Sequence, residues 1–124
     1  MANLTANDVR IFVPAKDFSV SKDFYQALGW KMLLDGDDVA MMELANCRFL
    51  LQNYYHKDWA GNFMLTVIVE DAQAWHDFVV SVFEKKKYPG VWVKPPAMQP
   101  WGALTTYVAD PSGVLLHFAQ FDKD

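Results

Sequence analysis

The chain has 124 residues, 52% apolar, 15% aromatic and 21% charged, with a net charge of −4. That is the length of one ordinary domain, 1–124, with enough chain to bury a real core. Scattered lysines leave out the basic footprint of a nucleic-acid binder, no apolar run approaches the ~18 residues of a membrane span, and MANLTANDVR lacks the cationic and apolar segments of a signal peptide. A cytoplasmic protein with no nucleic-acid or membrane partner is the expectation. Cys47 is the only cysteine, which excludes an internal disulfide, and it is expected to behave as a small hydrophobe rather than a nucleophile.

In chain order, the extended run VRIFVPA comes first, followed by Asp17, whose carboxylate can accept from the free amides of a helix's first turn. Ser21, Phe24, Tyr25 and Leu28 then recur at spacings of three and four, and Gly29 supplies a stop, so a helix with one apolar stripe is predicted. Three extended stretches follow, WKMLL, VAMMEL and CRFLLQNYY, parted by the turns DGDD and AN. After HKDWAGN the pattern begins again: FMLTVIV, a capping Asp71, and a helix whose stripe is Trp75, Phe78, Val79, Val82 and Phe83. Lys85 to Lys87 stand at its end, where cations favour the helix dipole. VWVK, the Pro-rich PPAMQPWG, ALTTYVA, a DPSG turn and VLLHFAQF complete the chain.

The two halves repeat each other. At a constant offset of 54 the pairs Val13/Val67, Asp17/Asp71, Asp23/Asp77 and Phe24/Phe78 coincide, while the last strands align at 65, which assigns 11 extra residues to the Pro-rich loop. The expected fold is α+β: tandem β-α-β-β-β units giving two curled mixed sheets, each backed by a helix, that form a cleft. Unit one covers about 8–55, a linker 56–62 and unit two about 63–121. A ferredoxin-like order places too few strands after each helix.

The tandem pattern, the stretch KDFSVSKDFYQALGW and the closing WGALTTYVADPSGVLLHFAQ resemble the vicinal oxygen chelate superfamily, which holds glyoxalase I, extradiol dioxygenases and bleomycin-resistance proteins. The S..FY..LG helix signature and the DP.G turn carry the resemblance over nearly the whole chain. It implies a cleft in which a divalent metal is held by the first and last strand of each unit. The positions that match are Arg10, Met64, Gln52 and His117. An arginine repels a cation, and a thioether is a poor ligand for hard or borderline ions. Only His117 is a good donor, so neither a catalytic metal nor another cofactor is expected.

Alternation along the strands places Arg10, Phe12, Gln52, Tyr54, Met64, Thr66, Leu115 and His117 on the cleft face. Trp101, in the Pro-rich loop with Trp92 and Met98, either covers a flat ligand or plugs the sheet edge. His117 is either a hydrogen-bonded core histidine or a pocket residue, and Glu43 could pair with Arg10. His56 and His76 read as solvated. Three functions follow: a metal-independent binder of a small aromatic or acidic ligand; a lyase, isomerase or dioxygenase-like enzyme, with His117 as the candidate catalytic base in a metal-free version; or an interaction module with a vestigial cleft. A homodimer is expected, because superfamily members pair units within or between chains.

Overall fold

The computed structural model describes residues 2–122. The elements run β1 (Phe12–Pro14), α1 (Phe18–Ala27), β2 (Lys31–Asp35), β3 (Val39–Leu44), β4 (Cys47–Gln52), α2 (Lys57–Gly61), β5 (Met64–Ile68), α3 (Ala72–Lys85), β6 (Trp92–Val93), β7 (Ala97–Met98), β8 (Ala103–Ala109) and β9 (Leu115–Phe121). The first sheet has the order β1-β4-β3-β2 and the second β5-β9-β8-β6, with β7 also paired to β8. In each sheet the opening strand lies parallel to the last, and the other pairs are antiparallel. This is the expected α+β architecture, and neither sheet closes into a barrel. Among the described residues no helix is long and apolar enough to cross a membrane.

Helices α1 and α3 start where the sequence says they must. Asp17 Oδ1 accepts from the Val20 amide at 3.2 Å, and its repeat mate Asp71 accepts from the Ala74 amide at 2.9 Å, each satisfying a first-turn donor that has no partner within the helix. The α1 stripe is fully buried at Ser21, Phe24, Tyr25 and Leu28, and each large apolar member contributes about 1.5–3 kcal/mol by leaving water. Gly29, at φ +101°, ends the helix in a conformation that a side chain would strain.

The α3 stripe differs from its expectation in one place. Val79 is buried and Trp75 stacks on Phe118 at 4.6 Å, but Phe78 remains 42% exposed. Its repeat mate Phe24 is covered by Phe83 and Tyr88 from the other half of the chain, at ring separations of 6.1 and 5.5 Å. Those second-half partners, not the α1 stripe itself, make Phe24 a core residue.

A buried polar cluster ties α1 to the DPSG turn. Tyr25 Oη donates to Asp110 Oδ2 at 2.6 Å, while Asp110 Oδ1 accepts from the Ser112 and Val114 amides at 2.8 and 2.9 Å. Ser112 Oγ in turn accepts from the Lys16 amide at 2.8 Å and lies 3.3 Å from Ser21 Oγ. Burial pushes the Asp110 carboxyl up to about 6, against the pull of its donors. It also holds the Tyr25 hydroxyl well above its ordinary value, so the tyrosine is the proton donor of the pair.

Several boundaries depart from the sequence reading. Residues 2–11 are exposed, and β1 is only three residues long, ending at Pro14, which has no amide to extend a ladder. The joining segment contains α2, whose N-cap is His56: its Nδ1 accepts from the Asp58 amide at 3.3 Å. VWVK yields a strand only at Trp92–Val93, and the Pro-rich stretch contributes the short β7. Cys47 is exposed at the hairpin corner where β4 opens.

The strand register corrects the repeat alignment. Phe12 pairs with Leu50, whereas its repeat mate Thr66 pairs with His117. Likewise the Ala15 amide donates to Gln52 O at 3.0 Å and the Val69 amide to Ala119 O at 2.9 Å. Leu50, not Gln52, is therefore the counterpart of His117, and Gln52 lies two residues further along the same face.

Candidate ligand-binding site

Pleating sorts each sheet into a face packed on a helix and an open face. On β9, Leu116 and Phe118 are buried, while Leu115, His117 and Phe121 are only partly covered or exposed. On β4, Phe49 and Leu51 are buried, and Arg48, Leu50 and Gln52 lie on the other side. On β5, Met64, Thr66 and Ile68 share the open face, with Met64 at 59% and Ile68 at 72% exposure.

Around His117 the second sheet builds a ring cluster. Tyr107, directly opposite on β8, meets the imidazole edge to face at 4.6 Å between centroids. Trp101 lies 6.3 Å from it and 6.0 Å from Phe121. A small turn holds Trp101 in place: the Gln99 amide donates to Ala103 O and the Gly102 amide to Gln99 O, both at 3.0 Å. Gly102 adopts φ +91° there, a conformation that favours glycine. Thr66 flanks His117 from β5, with Met64 and Leu115 paired at the next position on the open face. Tyr107 and Phe121 escaped the sequence reading. The signal was present for Tyr107, since a five-residue connection between ALTTYVA and LLHFAQF sets it opposite His117.

The His117 Nε2 atom is buried and has no hydrogen-bond partner. Burial lowers the imidazole's pKa, which favours the neutral ring. A neutral imidazole keeps one donor and one acceptor nitrogen, and it can serve as a base or as an anchor for a polar ligand atom.

The first sheet is organised differently. Phe12 is 46% exposed beside Leu50, and Gln52 lies between Pro14 and Val39. Tyr54 is beyond the end of β4, its ring 5.9 Å from Trp59 of α2, and so belongs to the rim of this face. Arg10 precedes β1 and bonds Asp8 at 3.1 Å, while Arg48 takes Glu43 at 2.7 Å and reaches Asp8 at 3.9 Å. The pairing anticipated for Glu43 is thus with Arg48, the residue opposite it across the hairpin. Arg10 holds the Asp8 carboxyl below its usual range. His76 lies on α3 beside Asp77 at 3.0 Å.

The predicted site residues accordingly fall into two groups. Phe12 and Gln52, with Arg10 and Tyr54 at the margins, belong to the first sheet. Met64, Thr66, Leu115, His117 and Trp101 belong to the second. The positions that would hold a metal do not suit one: Arg10 is cationic and already paired, Met64 offers a thioether, and the counterpart of His117 is Leu50, which has no donor, in place of the Gln52 expected from the sequence. Only His117 is a competent ligand. Among the described residues no group of three or more His, Cys, Asp or Glu side chains could hold a metal ion.

No family model matches the chain, and neither does any curated protein. Solved structures do match. A bleomycin-binding protein from the bleomycin-producing Streptomyces verticillus, complexed with copper(II)-bleomycin, superposes with a TM-score of 0.78 at 20% identity over 95% of this chain and 100% of its own. TnmS3, an antibiotic-binding protein from a Streptomyces species, gives 0.76 at 20% identity over 97% and 100%. A lactoylglutathione lyase from Agrobacterium tumefaciens gives 0.65 at 16% identity over 94% and 95%. The chain has the fold of these structures, an architecture shared by proteins named for antibiotic binding and by one named as a lyase.

Proposed function

We propose that this chain is a small-molecule-binding protein, working without a catalytic metal, whose ligand occupies the open faces of the two sheets. The observation that carries this reading is the cluster of Trp101, Tyr107, Phe121 and neutral His117 on the second sheet. It joins apolar ring surface to a few polar groups, the usual make-up of a small-molecule site. A flat aromatic body with a polar or acidic group is its complement, the first sheet supplying Arg10 and Gln52. The structural neighbours that bind bleomycin and another antibiotic support binding as the role of this fold. Nothing in the charge distribution favours nucleic acid as the partner, and we place the protein in the cytoplasm.

The open faces carry exposed apolar side chains. Phe12, Met64 and Ile68 are exposed on these faces, and Leu4 and Val9 of the segment before β1 are 91% and 80% exposed. We assign this surface to a symmetric homodimer that brings the first sheet of one copy against the second sheet of another and closes the cleft. Light scattering should give twice the 14.2 kDa chain mass; the monomer mass at micromolar concentration would refute the assembly.

A fluorescence screen of aromatic acids and oxidised metabolites, with Trp101 as reporter, tests the function. Hits are expected at micromolar to millimolar concentrations, about 4–8 kcal/mol of binding. The neutral imidazole also favours a second reading, a metal-free lyase or isomerase with His117 as general base. His117→Ala separates the two: in a binder it weakens affinity modestly, whereas in an enzyme it abolishes turnover with affinity largely kept. If His117→Ala and Arg10→Met leave every hit unaffected, the faces serve as a protein-interaction surface instead.

A further inference from the structure

The internal repeat leaves one half of the helix-covered side unfinished. Helices α1 and α3 start at equivalent positions, Phe18 and Ala72, but α1 has 10 residues and α3 has 14. The last turn of α3 carries Phe83, whose ring packs on Phe24 of α1 at 6.1 Å. At the offset of 54 the counterpart of Phe24 is Phe78, and that of Phe83 is Gly29, which has no side chain and follows α1 instead of continuing it. The ring contact that closes one half is therefore missing from the other. A trough of about 340 Å³ lies in its place, walled by Leu28, Gly29, Leu44, Ala74, Trp75 and Phe78. A Cβ built on Gly29 would meet only the Leu44 side chain, at 4.0 Å. The trough is on the side of the second sheet that α3 covers, where Trp75 stacks on the buried Phe118, and so lies away from the open faces.

The same repeat marks the charge at its rim. Beside Phe24, Asp23 accepts from Lys86 Nζ and, at 2.7 Å, from Tyr88 Oη. Its mate Asp77, beside Phe78, meets no lysine or arginine: its partners are His76 at 3.0 Å and Gln73 at 2.9 Å, and its side chain stays 66% exposed. Those bonds hold the Asp77 carboxyl below its ordinary value, so it is ionised at neutral pH. The first-half counterparts of Lys86 and Tyr88 are Met32 and Leu34, both in β2 and neither charged.

We infer that the trough docks one turn of helix from a partner protein, a turn that lays an aromatic ring on Phe78 and, three residues later, brings a lysine or arginine to Asp77. The chain's own first half is the template, since Phe83 and Lys86 stand three residues apart and meet Phe24 and Asp23. Residues at that spacing share one side of a helix, so ring and cation arrive together. At roughly 30 Å³ for each water-sized group the trough admits on the order of ten non-hydrogen atoms, a ring and its stem. An apolar groove with a charge at its edge is the usual receptor for an amphipathic helix. The site differs from the open faces in location and in the class of its occupant.

The test uses a peptide with the sequence of residues 79–88, VVSVFEKKKY, held helical by a side-chain staple and titrated into the isotope-labelled full chain. It should move the amide resonances of Gly29, Ala74 and Phe78 and the Trp75 indole, with a Kd on the order of 100 μM. The same peptide carrying Phe83→Ala should bind about tenfold more weakly. Asp77→Asn in the protein should weaken the original peptide about two- to threefold at low salt, a difference that high salt removes. Ala74→Trp fills the trough with a ring of the protein's own and should abolish binding. If that variant fails to fold, the peptide change and Asp77→Asn still decide.

Unmoved Phe78 and Gly29 resonances, equal binding by the Phe83→Ala peptide, or phenethylamine binding as tightly as the peptide would overturn the proposal, the last because the trough would then be a small-molecule site. A lower assembly mass for Ala74→Trp in light scattering would overturn it too, since a second copy of the chain would be the occupant. Resonances of Trp101 and His117 should stay in place throughout, so failure here leaves the reading of the open faces standing.

Discussion

Replacing Tyr25 with phenylalanine removes one oxygen from the centre of the core and nothing else. The ring is fully buried, and its hydroxyl serves only Asp110, at 2.6 Å. The loss leaves a buried carboxylate with two backbone donors in place of two donors and a phenol. A hydrogen bond to a charged group is worth about 1.5–3 kcal/mol, which for a domain of this size is a melting temperature lower by about 5–12 °C.

The pH dependence provides the sharper test. The folded-state value of Asp110 is raised to about 6, above the ordinary carboxylate. Its contribution to stability is therefore fully present below the unfolded value, about 4, and is lost as the pH rises through about 6. The phenol donor serves the ionised form, so the Tyr25→Phe penalty should be full above about pH 6 and shrink below it. Urea denaturation of both proteins at about pH 5 and about pH 8 measures this directly. A penalty under about 0.5 kcal/mol, or one of equal size at both pH values, would refute the assignment of Asp110 as a carboxylate stabilised by Tyr25.

Other outcomes follow from the same geometry. His117, with its pKa lowered by burial, contributes stability that is present above about 6.5 and lost as the pH falls from there. His117→Phe should thus flatten the acid side of the stability profile, and a thermal-melt series from about pH 8 to about pH 5 checks it. Ser112→Ala deprives the Lys16 amide of its acceptor and should cost about 1–3 kcal/mol in denaturant titrations. Elemental analysis should find far less than one equivalent of zinc, nickel, iron or manganese, and a chelator should leave the melting temperature unchanged, since no metal-binding energy is coupled to folding.

The parts of this fold that were legible in the sequence are those fixed by local rules. Asp17 and Asp71 announce their helices because a capping carboxylate acts within three residues of itself, and the same pair marks the repeat offset of 54. Register was harder to read. It depends on the β3–β4 and β8–β9 turns, which differ in length, and two residues of error moved the counterpart of His117 from Leu50 to Gln52 while leaving it on the same face.

Pairings between side chains were not legible for a further reason. Arg10, Arg48, Asp8 and Glu43 offer several matches, and only the β3–β4 hairpin register selects Arg48 for Glu43. The same holds for Phe78, apolar by type, which lacks the cover that Phe83 and Tyr88 give its repeat mate Phe24.

The central claim is that the open faces bind a small molecule and that His117 and Trp101 are part of that site. Its most direct test is chemical-shift mapping by heteronuclear NMR, with the tightest hit of the fluorescence screen titrated into isotope-labelled protein. Perturbations should gather on Thr66, Trp101, Tyr107 and His117, with a second set on Phe12 and Gln52 of the opposing sheet. Shifts confined to the helices, with the Trp101 indole and His117 ring resonances unmoved, would contradict it.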